Sequence, residues 1–268
     1  MQMEEQLKSE VARYWNQASC GTDHVQETKF SREYFERIES HRYAVEPEIF
    51  SFAQFTRFHG AKILEVGIGA GTDFIQWIRA GALAYGIDLT AEALENVQRR
   101  LKIYGLKAEE VSVADAEHLP YPAGFFDLVY SWGVIHHSPD TKKCLGEIIR
   151  VTKPGGTIKI MIYNRHSLVV FYRYLRTALF KGRPFRSFSN VLFYEVESLG
   201  TKGYTLKEVR SMLRGQPVSI EQLKSTVTSH DLLKAKSKFA RFFAHIAAFL
   251  FGWDRCGFYM TLELKKLG

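Results

Sequence analysis

The sequence predicts an α/β protein: a doubly wound, mostly parallel sheet with an antiparallel edge strand, plus helical cap insertions. Three observations carry this expectation. Short apolar strand runs alternate with helical patterns from Lys62 onward, a glycine-rich turn joins the first run to its helix, and the final segment alternates strictly between apolar and polar residues.

The elements follow in order. Residues 4–58 read as mainly helical and aromatic-rich. KILEV is a first strand, FIQWIRAG a helix closed by Gly81, and AYGID a second strand. Thr90 is a good N-cap for AEALENVQRRLKIY, which Gly105 ends, and AEEVSVAD offers a third strand. FFDLVYSW is a fourth. Ser138, Pro139 and Asp140 signal the start of the helix KKCLGEIIRV, and KPGG turns the chain into the strand TIKIMIY. The rhythm then breaks for some forty residues rich in Arg, Phe and Tyr, too long for a plain connector. A capping box, Thr205 with Glu208, opens LKEVRSMLRG, and PVSIEQLK follows as a strand. In FYMTLELKKL, Phe258, Met260, Leu262 and Leu264 fall on one face, with Tyr259, Thr261, Glu263 and Lys265 on the other, which predicts a half-solvated edge strand. One domain over 1–268 is expected, with an N-terminal helical cap segment (1–60) and cap or lid insertions at 163–204 and 226–256.

Composition is that of a globular protein, with 46% hydrophobic and 24% charged residues. The N-terminus has neither an apolar signal core nor an Arg-rich transit pattern, so a cytoplasmic protein is expected. Cys20, Cys144 and Cys256 are too scattered for a disulfide framework or a paired metal site. The net charge of +7 is unevenly spread: residues 1–162 hold 18 Lys+Arg against 22 Asp+Glu, residues 163–268 hold 18 against 7. The C-terminal part is therefore expected to meet something anionic, unless its basic faces are simply solvated.

The turn ILEVGIGAGTD carries Glu65, Gly67, Gly69 and Gly71 between strand and helix, where missing Cβ atoms let a ligand approach the backbone. A dinucleotide fingerprint G-x-G-x-x-G would occupy the same place, but its third glycine position is Thr72 here. Glu65 also sets a carboxylate beside the turn, unfavourable for a pyrophosphate and favourable for the cationic amino group of a methionine moiety. Asp88 ends the second strand, where it can accept both hydroxyls of a ribose, and Asp115 ends the third, where it can accept from an adenine amine.

These segments resemble the class I S-adenosylmethionine-dependent methyltransferases, particularly the methyltransferase type 11 or UbiE-like group, over residues 60–163. The resemblance implies a Rossmann-like sheet and S-adenosylmethionine as cofactor. It implies that Glu65, Gly67 and Gly69 line the methionine part, that Asp88 with Leu89 holds the ribose, and that Asp115 and Ala116 contact adenine. FDLVYSWGVIHHSPD resembles the group's fourth-strand motif, which implies that Ser131, Trp132 and His136 border the cofactor.

The expected activity is in-line methyl transfer to a small molecule, with an oxygen, nitrogen or carbon acceptor all open. His137 first and His136 second are the candidates for proton transfer, against a role in cofactor packing or loop hydrogen bonding. Adjacent histidines also suit a metal, but no Cys, Glu or third His stands near them in sequence, so none is expected. Tyr163, Asn164, Arg165 and His166 open the basic insertion and are candidates to meet the acceptor, while Tyr14 and Trp15 are candidates to close from the N-terminal side. The basic, aromatic cap favours an acceptor with an aromatic or lipid-like body and an anionic group. In KAKSKFARFFAHIAAFLFGW, Phe239, Phe242, Phe243, Ile246, Phe249, Leu250 and Trp253 form a helical stripe beside Lys234, Lys238 and Arg241. That stripe resembles an interfacial membrane helix, with packing on the sheet or over an acceptor pocket as the commoner use. Three alternatives remain at this point: an RNA methyltransferase, an NAD-dependent oxidoreductase, and a non-catalytic S-adenosylmethionine-binding protein.

Overall fold

A computed structural model describes residues 2–17, 19, 21–22, 25–233 and 238–268. Cys20 and Lys234 lie outside the described residues, as do the side chains of Lys238, Phe239 and Phe243. Three helices precede the sheet: α1 (Gln2–Gln17), α2 (Arg32–Val45) and α3 (Glu48–Ala53). The alternating core follows as β1 (Lys62–Val66), α4 (Phe74–Arg79), β2 (Leu83–Asp88), α5 (Ala91–Tyr104), β3 (Glu110–Val113), β4 (Phe126–Trp132), α6 (Thr141–Val151) and β5 (Thr152–Tyr163). Thr90 and Asp140 cap α5 and α6 by accepting from Ala93 N and Lys143 N, and Gly105 ends α5 in the left-handed conformation.

The described strands form one sheet in the order β3-β2-β1-β4-β5-β7-β6, where β6 is Val218–Thr226 and β7 is Tyr259–Lys266. β1 to β5 pair in parallel, while β7 runs antiparallel to both β5 and β6. The antiparallel strand thus lies at that side of the sheet but one place in, with β6 at the rim. The predicted polar face is solvated only toward its C-terminal end: Tyr259 and Thr261 are buried at 4% and 7% exposure, Tyr259 beneath Glu46 and His230, while Glu263 is half-buried and Lys265 exposed. KPGG does not end one element and begin another; it is an irregularity inside β5, where the register with β4 shifts between Phe126 and Leu128.

Alternate residues of the central strands feed two cores. Leu128, Tyr130, Trp132 and Met161 pack with Phe52, Phe55 and Trp77 on one face, and Val129, Ile158, Ile160 and Ile162 pack with Leu145 and Ile148 on the other. The break after β5 holds α7 (Leu168–Thr177), a 3-10 turn at Leu179–Lys181 and α8 (Phe188–Glu195). The capping box at Thr205 and Glu208 opens α9 (Leu206–Leu213). Between β6 and β7 lie α10 (Ser229–Leu233) and α11 (Lys238–Phe251). Ile246, Phe249, Leu250 and Trp253 are 38–78% exposed, so packing on the sheet does not account for this stripe. No helix among the described residues is long and apolar enough to cross a membrane. Cys144 is buried, which pushes its thiol up to about 12.

Candidate functional site

The sheet order reverses between β2-β1 and β4, which opens a crevice at the carboxyl ends of β1 and β4. The main pocket lies there. It takes in Glu65, Gly67, Gly69, Asp88, Leu89, Asp115, Ala116, Trp132, His137 and Tyr163 of the residues expected from sequence.

Gly67 has φ of 83°, and a Cβ there would stand 2.2 Å from Val134 Cγ2, so both backbone and neighbour require glycine. Above Gly69 there is open space within 4 Å. The turn's amides are spent inside the protein: Gly67 and Ile68 N donate to Ile87 O, Gly71 N to Ile68 O, and Gly69 N to Asp88 Oδ2 at 3.0 Å. That is no cradle for a pyrophosphate. Thr72, at the third fingerprint position, accepts from the buried Arg100 guanidinium at 3.0 Å, which also donates to Ala70 O and so braces the turn from behind.

Negative charge dominates this half. Glu65 is 3% exposed and accepts from Trp77 Nε1 at 2.8 Å. Burial, with Asp73 beside it, pushes its carboxyl well above the usual range. Asp73 itself is clamped in bidentate fashion by Arg42 at 3.1 and 2.9 Å and accepts from Tyr130 and Tyr43. Asp88 is raised by burial despite accepting from Gly69 N, Thr90 N and Thr90 Oγ1. A ligand cation placed against Glu65 would relieve this accumulation, and Asp88 lines the same pocket as an acceptor for ligand hydroxyls. The residues present therefore fit S-adenosylmethionine.

The N-terminal helix forms a wall. Lys8, Val11 and Trp15 line the pocket at helical spacing, and Lys8 Nζ pairs with Asp115 Oδ2 at 2.6 Å and Glu117 Oε2 at 2.8 Å. Trp15 lies edge-on to His137 at 5.4 Å, while Tyr14 turns away, 42% exposed.

Beyond the cofactor half lie two buried polar clusters. His137 Nδ1 lies 3.0 and 3.1 Å from Ser198 Oγ and Thr201 Oγ1, and its Nε2 lies 3.3 Å from Glu197 Oε2. Tyr163 OH donates to Glu197 at 2.9 Å. In the second, Glu46 accepts from Trp132 Nε1 at 3.0 Å and Tyr259 OH at 2.6 Å, with Arg42 and His230 each 3.4 Å away. Burial alone would raise Glu46, but Arg42 and the bonds from His230 and Tyr259 outweigh it and hold the carboxyl at about 2.

Several expected residues stand behind the lining instead. Gly71 serves helix packing, since a Cβ there would lie 2.8 Å from Val97 Cγ2. Ser131 and His136 are fully buried. His136 stacks at 4.0 Å on Tyr163, and burial, with His137 and Lys202 nearby, pushes its imidazole well below the usual value, so it stays neutral. Asn164 ties Ser225 to the 255 and 257 carbonyls, and His166 is exposed near Phe188.

A carboxylate absent from the histidines' sequence neighbourhood is present in space: the chain brings Glu197 within 4.8 Å of both histidines' ligand atoms. That carboxylate is already engaged by Tyr163, and in a second such group Asp115 and Glu117 are engaged by Lys8.

Trp15, expected from sequence, lines the pocket; of the lining residues missed, Lys8 and Val11 had a readable signal in their 3- and 4-residue spacing to it. Arg42 and Glu46 share an i,i+4 step. Glu197, His230 and Tyr259 had none.

The fold and this acid-rich crevice are similar to those of class I S-adenosylmethionine-dependent methyltransferase domains, and the lining fits S-adenosylmethionine as the cofactor. Residues 64–160 match the family model described as a methyltransferase domain. The chain is 38% identical over 109 residues to norajmaline N-methyltransferase of Rauvolfia serpentina, covering 40% of this chain and 37% of that protein. It is 31% identical over 108 residues to ubiquinone biosynthesis O-methyltransferase of Erwinia tasmaniensis, covering 40% and 44%. The chain thus spans under half the length of these curated relatives. Among solved structures, geranyl diphosphate C-methyltransferase of Streptomyces coelicolor aligns over 97% of this chain and 98% of its own, with a TM-score of 0.65 and 16% identity. The [4+2]-cyclase SpnF aligns over 100% and 96%, with a TM-score of 0.57 and 15% identity. At such identities the likeness shows the fold alone.

Proposed function

We propose that this chain transfers a methyl group from S-adenosylmethionine to a small-molecule acceptor that gives up a proton, with His137 as the general base. When bound, the cofactor supplies an electrophilic methyl group on a sulfonium. The chain's part is to align the acceptor, keep water out and take the proton.

The observation that carries this reading is His137 on the pocket wall beside the Glu197 carboxylate. Thr201 Oγ1 gives its own proton to Ser198 O at 2.7 Å and so can only accept at His137 Nδ1, while Ser198 Oγ can donate or accept there; on the Thr201 contact we assign the Nδ1–H tautomer. In that tautomer Nε2, buried 3.3 Å from Glu197 Oε2, is the atom that would take the acceptor's proton once the acceptor displaces this contact, and Glu197 would stabilise the imidazolium formed. His136, buried and neutral, packs behind. The cap segments at 1–60, 163–204 and 226–256 contribute Lys8, Trp15, Glu46, Glu197 and His230 to the lining.

Trp15, Trp132, Tyr163 and Tyr259 give the acceptor half aromatic walls, which suit an aromatic or lipid-like body. An anionic group on the acceptor has less support: Lys8 and Arg42, the Lys and Arg residues of the described lining, already pair with carboxylates. Glu46 and Glu197 favour a hydroxyl or amine instead. Incubation of the enzyme with methyl-labelled S-adenosylmethionine and fractionated cell extract should put label into a small molecule identifiable by mass. Label confined to RNA or protein would overturn the reading.

A further inference from the structure

We infer that α7, the 3-10 turn after it and α11 form a surface that docks on an anionic lipid bilayer, so that the acceptor is drawn from the membrane. The second half of this statement rests on the methyl-transfer reading; the docking does not.

The chain exposes large apolar side chains on adjoining elements. Phe180 is 79% and Phe185 100% exposed in the segment after α7; Phe249, Leu250 and Trp253, on and just after α11, are 78%, 69% and 45% exposed. Single exposed apolar residues are ordinary, but five this large on neighbouring elements are not. The elements are physically joined: α10 packs against both α7 and α11, and Leu168 N, at the start of α7, donates to Cys256 O beyond α11.

Charge selects the partner. Residues 163–194 contain no acidic residue and six Lys and Arg. Arg165 and Arg186 pair with Glu208 and Glu195, whereas exposed Arg176, Lys181 and Arg183 stand in none of the ion pairs among the described residues. Arg241 on α11 and Arg255 after it are exposed as well. Exposed aromatics interleaved with unpaired cations match the headgroup region of an anionic leaflet, where rings enter the interface and each cation adds attraction. A second protein copy would bring the same positive charge against itself. The surface also adjoins the pocket, because α10, between the two helices, supplies His230 to the lining.

The test is co-flotation of the full chain with vesicles of phosphatidylcholine alone or with about a third phosphatidylglycerol, at low and high salt. Binding to the anionic vesicles should exceed that to neutral ones by at least about tenfold and weaken with salt. The exposed double variants Phe180→Ser/Phe185→Ser and Lys181→Glu/Arg183→Glu should each lose most of it, while binding S-adenosylmethionine as the parent does by calorimetry. Equal binding to both vesicle types, or none, overturns the docking, as does a solution dimer that the same substitutions dissociate. Docking without preference for a membrane-extractable acceptor in the labelling assay retains the surface and overturns only the lipid-borne acceptor.

Discussion

The half of the pocket proposed to hold the cofactor is assembled from three consecutive strand ends, Glu65, Asp88 and Asp115, each placed by the short strand it ends or follows. The acceptor half gathers Glu46 from the N-terminal segment, His137 from the loop after β4, Glu197 from the first insertion, and His230 and Tyr259 from the far end of the chain. One half follows from local repetition within a parallel sheet. The other depends on the paths of segments that the sheet does not dictate. Chemistry divides along the same line: a surplus of buried carboxylates on the cofactor side, histidines lying 3.3 and 3.4 Å from carboxylates on the acceptor side.

Three substitutions or titrations probe this division, in order of decreasing effect. His137→Asn should lower kcat by about 10²- to 10⁴-fold while leaving the calorimetric Kd for S-adenosylmethionine unchanged. A parallel loss of cofactor affinity would show that the halves do not act separately. Asp88→Ala should weaken S-adenosylmethionine by roughly 10- to 100-fold, with acceptor KM little altered, since charge-assisted hydrogen bonds are lost on one side only. Thermal unfolding would check that the turn held by Gly69 N and Thr90 survives.

The smallest effect is a pH dependence. Glu65 has its carboxyl raised, so it takes up a proton on acidification sooner than an ordinary glutamate. A cation binds its ionised form, so affinity for the cofactor should fall as pH is lowered through that raised value, by up to about tenfold per unit. Asp88 shifts in the same direction, so Glu65→Gln should bind more weakly and show a flatter profile, not a level one. A slope unchanged in that variant would assign the effect to Asp88.

The same division explains what the sequence made legible. Strand–helix alternation, the glycine turn and the acids at strand ends are local patterns, and they led to the sheet and to Glu65, Asp88 and Asp115 on one pocket. Trp15 was found beside Tyr14, though helical phase puts only Trp15 inside. Of the paired histidines, His137 reaches the pocket and His136 lies buried behind it, a distinction that backbone direction after β4 sets and residue type does not. β7 read as half-solvated because its alternation is clean, but Glu46 and His230, from segments distant in sequence, cover the first part of its polar face, leaving only the end at Lys265 exposed. Glu197 and His230 carry no local signal, since their partners lie 60 and 184 residues away.

Glu197 has one more property. Its φ is 56°, in the left-handed region where glycine or asparagine would sit at lower energy. At this position, folding and catalysis therefore want different residues. Glu197→Gly would relax the backbone, but would take from the Tyr163 hydroxyl its acceptor and from the proposed base its partner in one step. Position 197 is where a stabilised version of this protein would be expected to trade away its turnover.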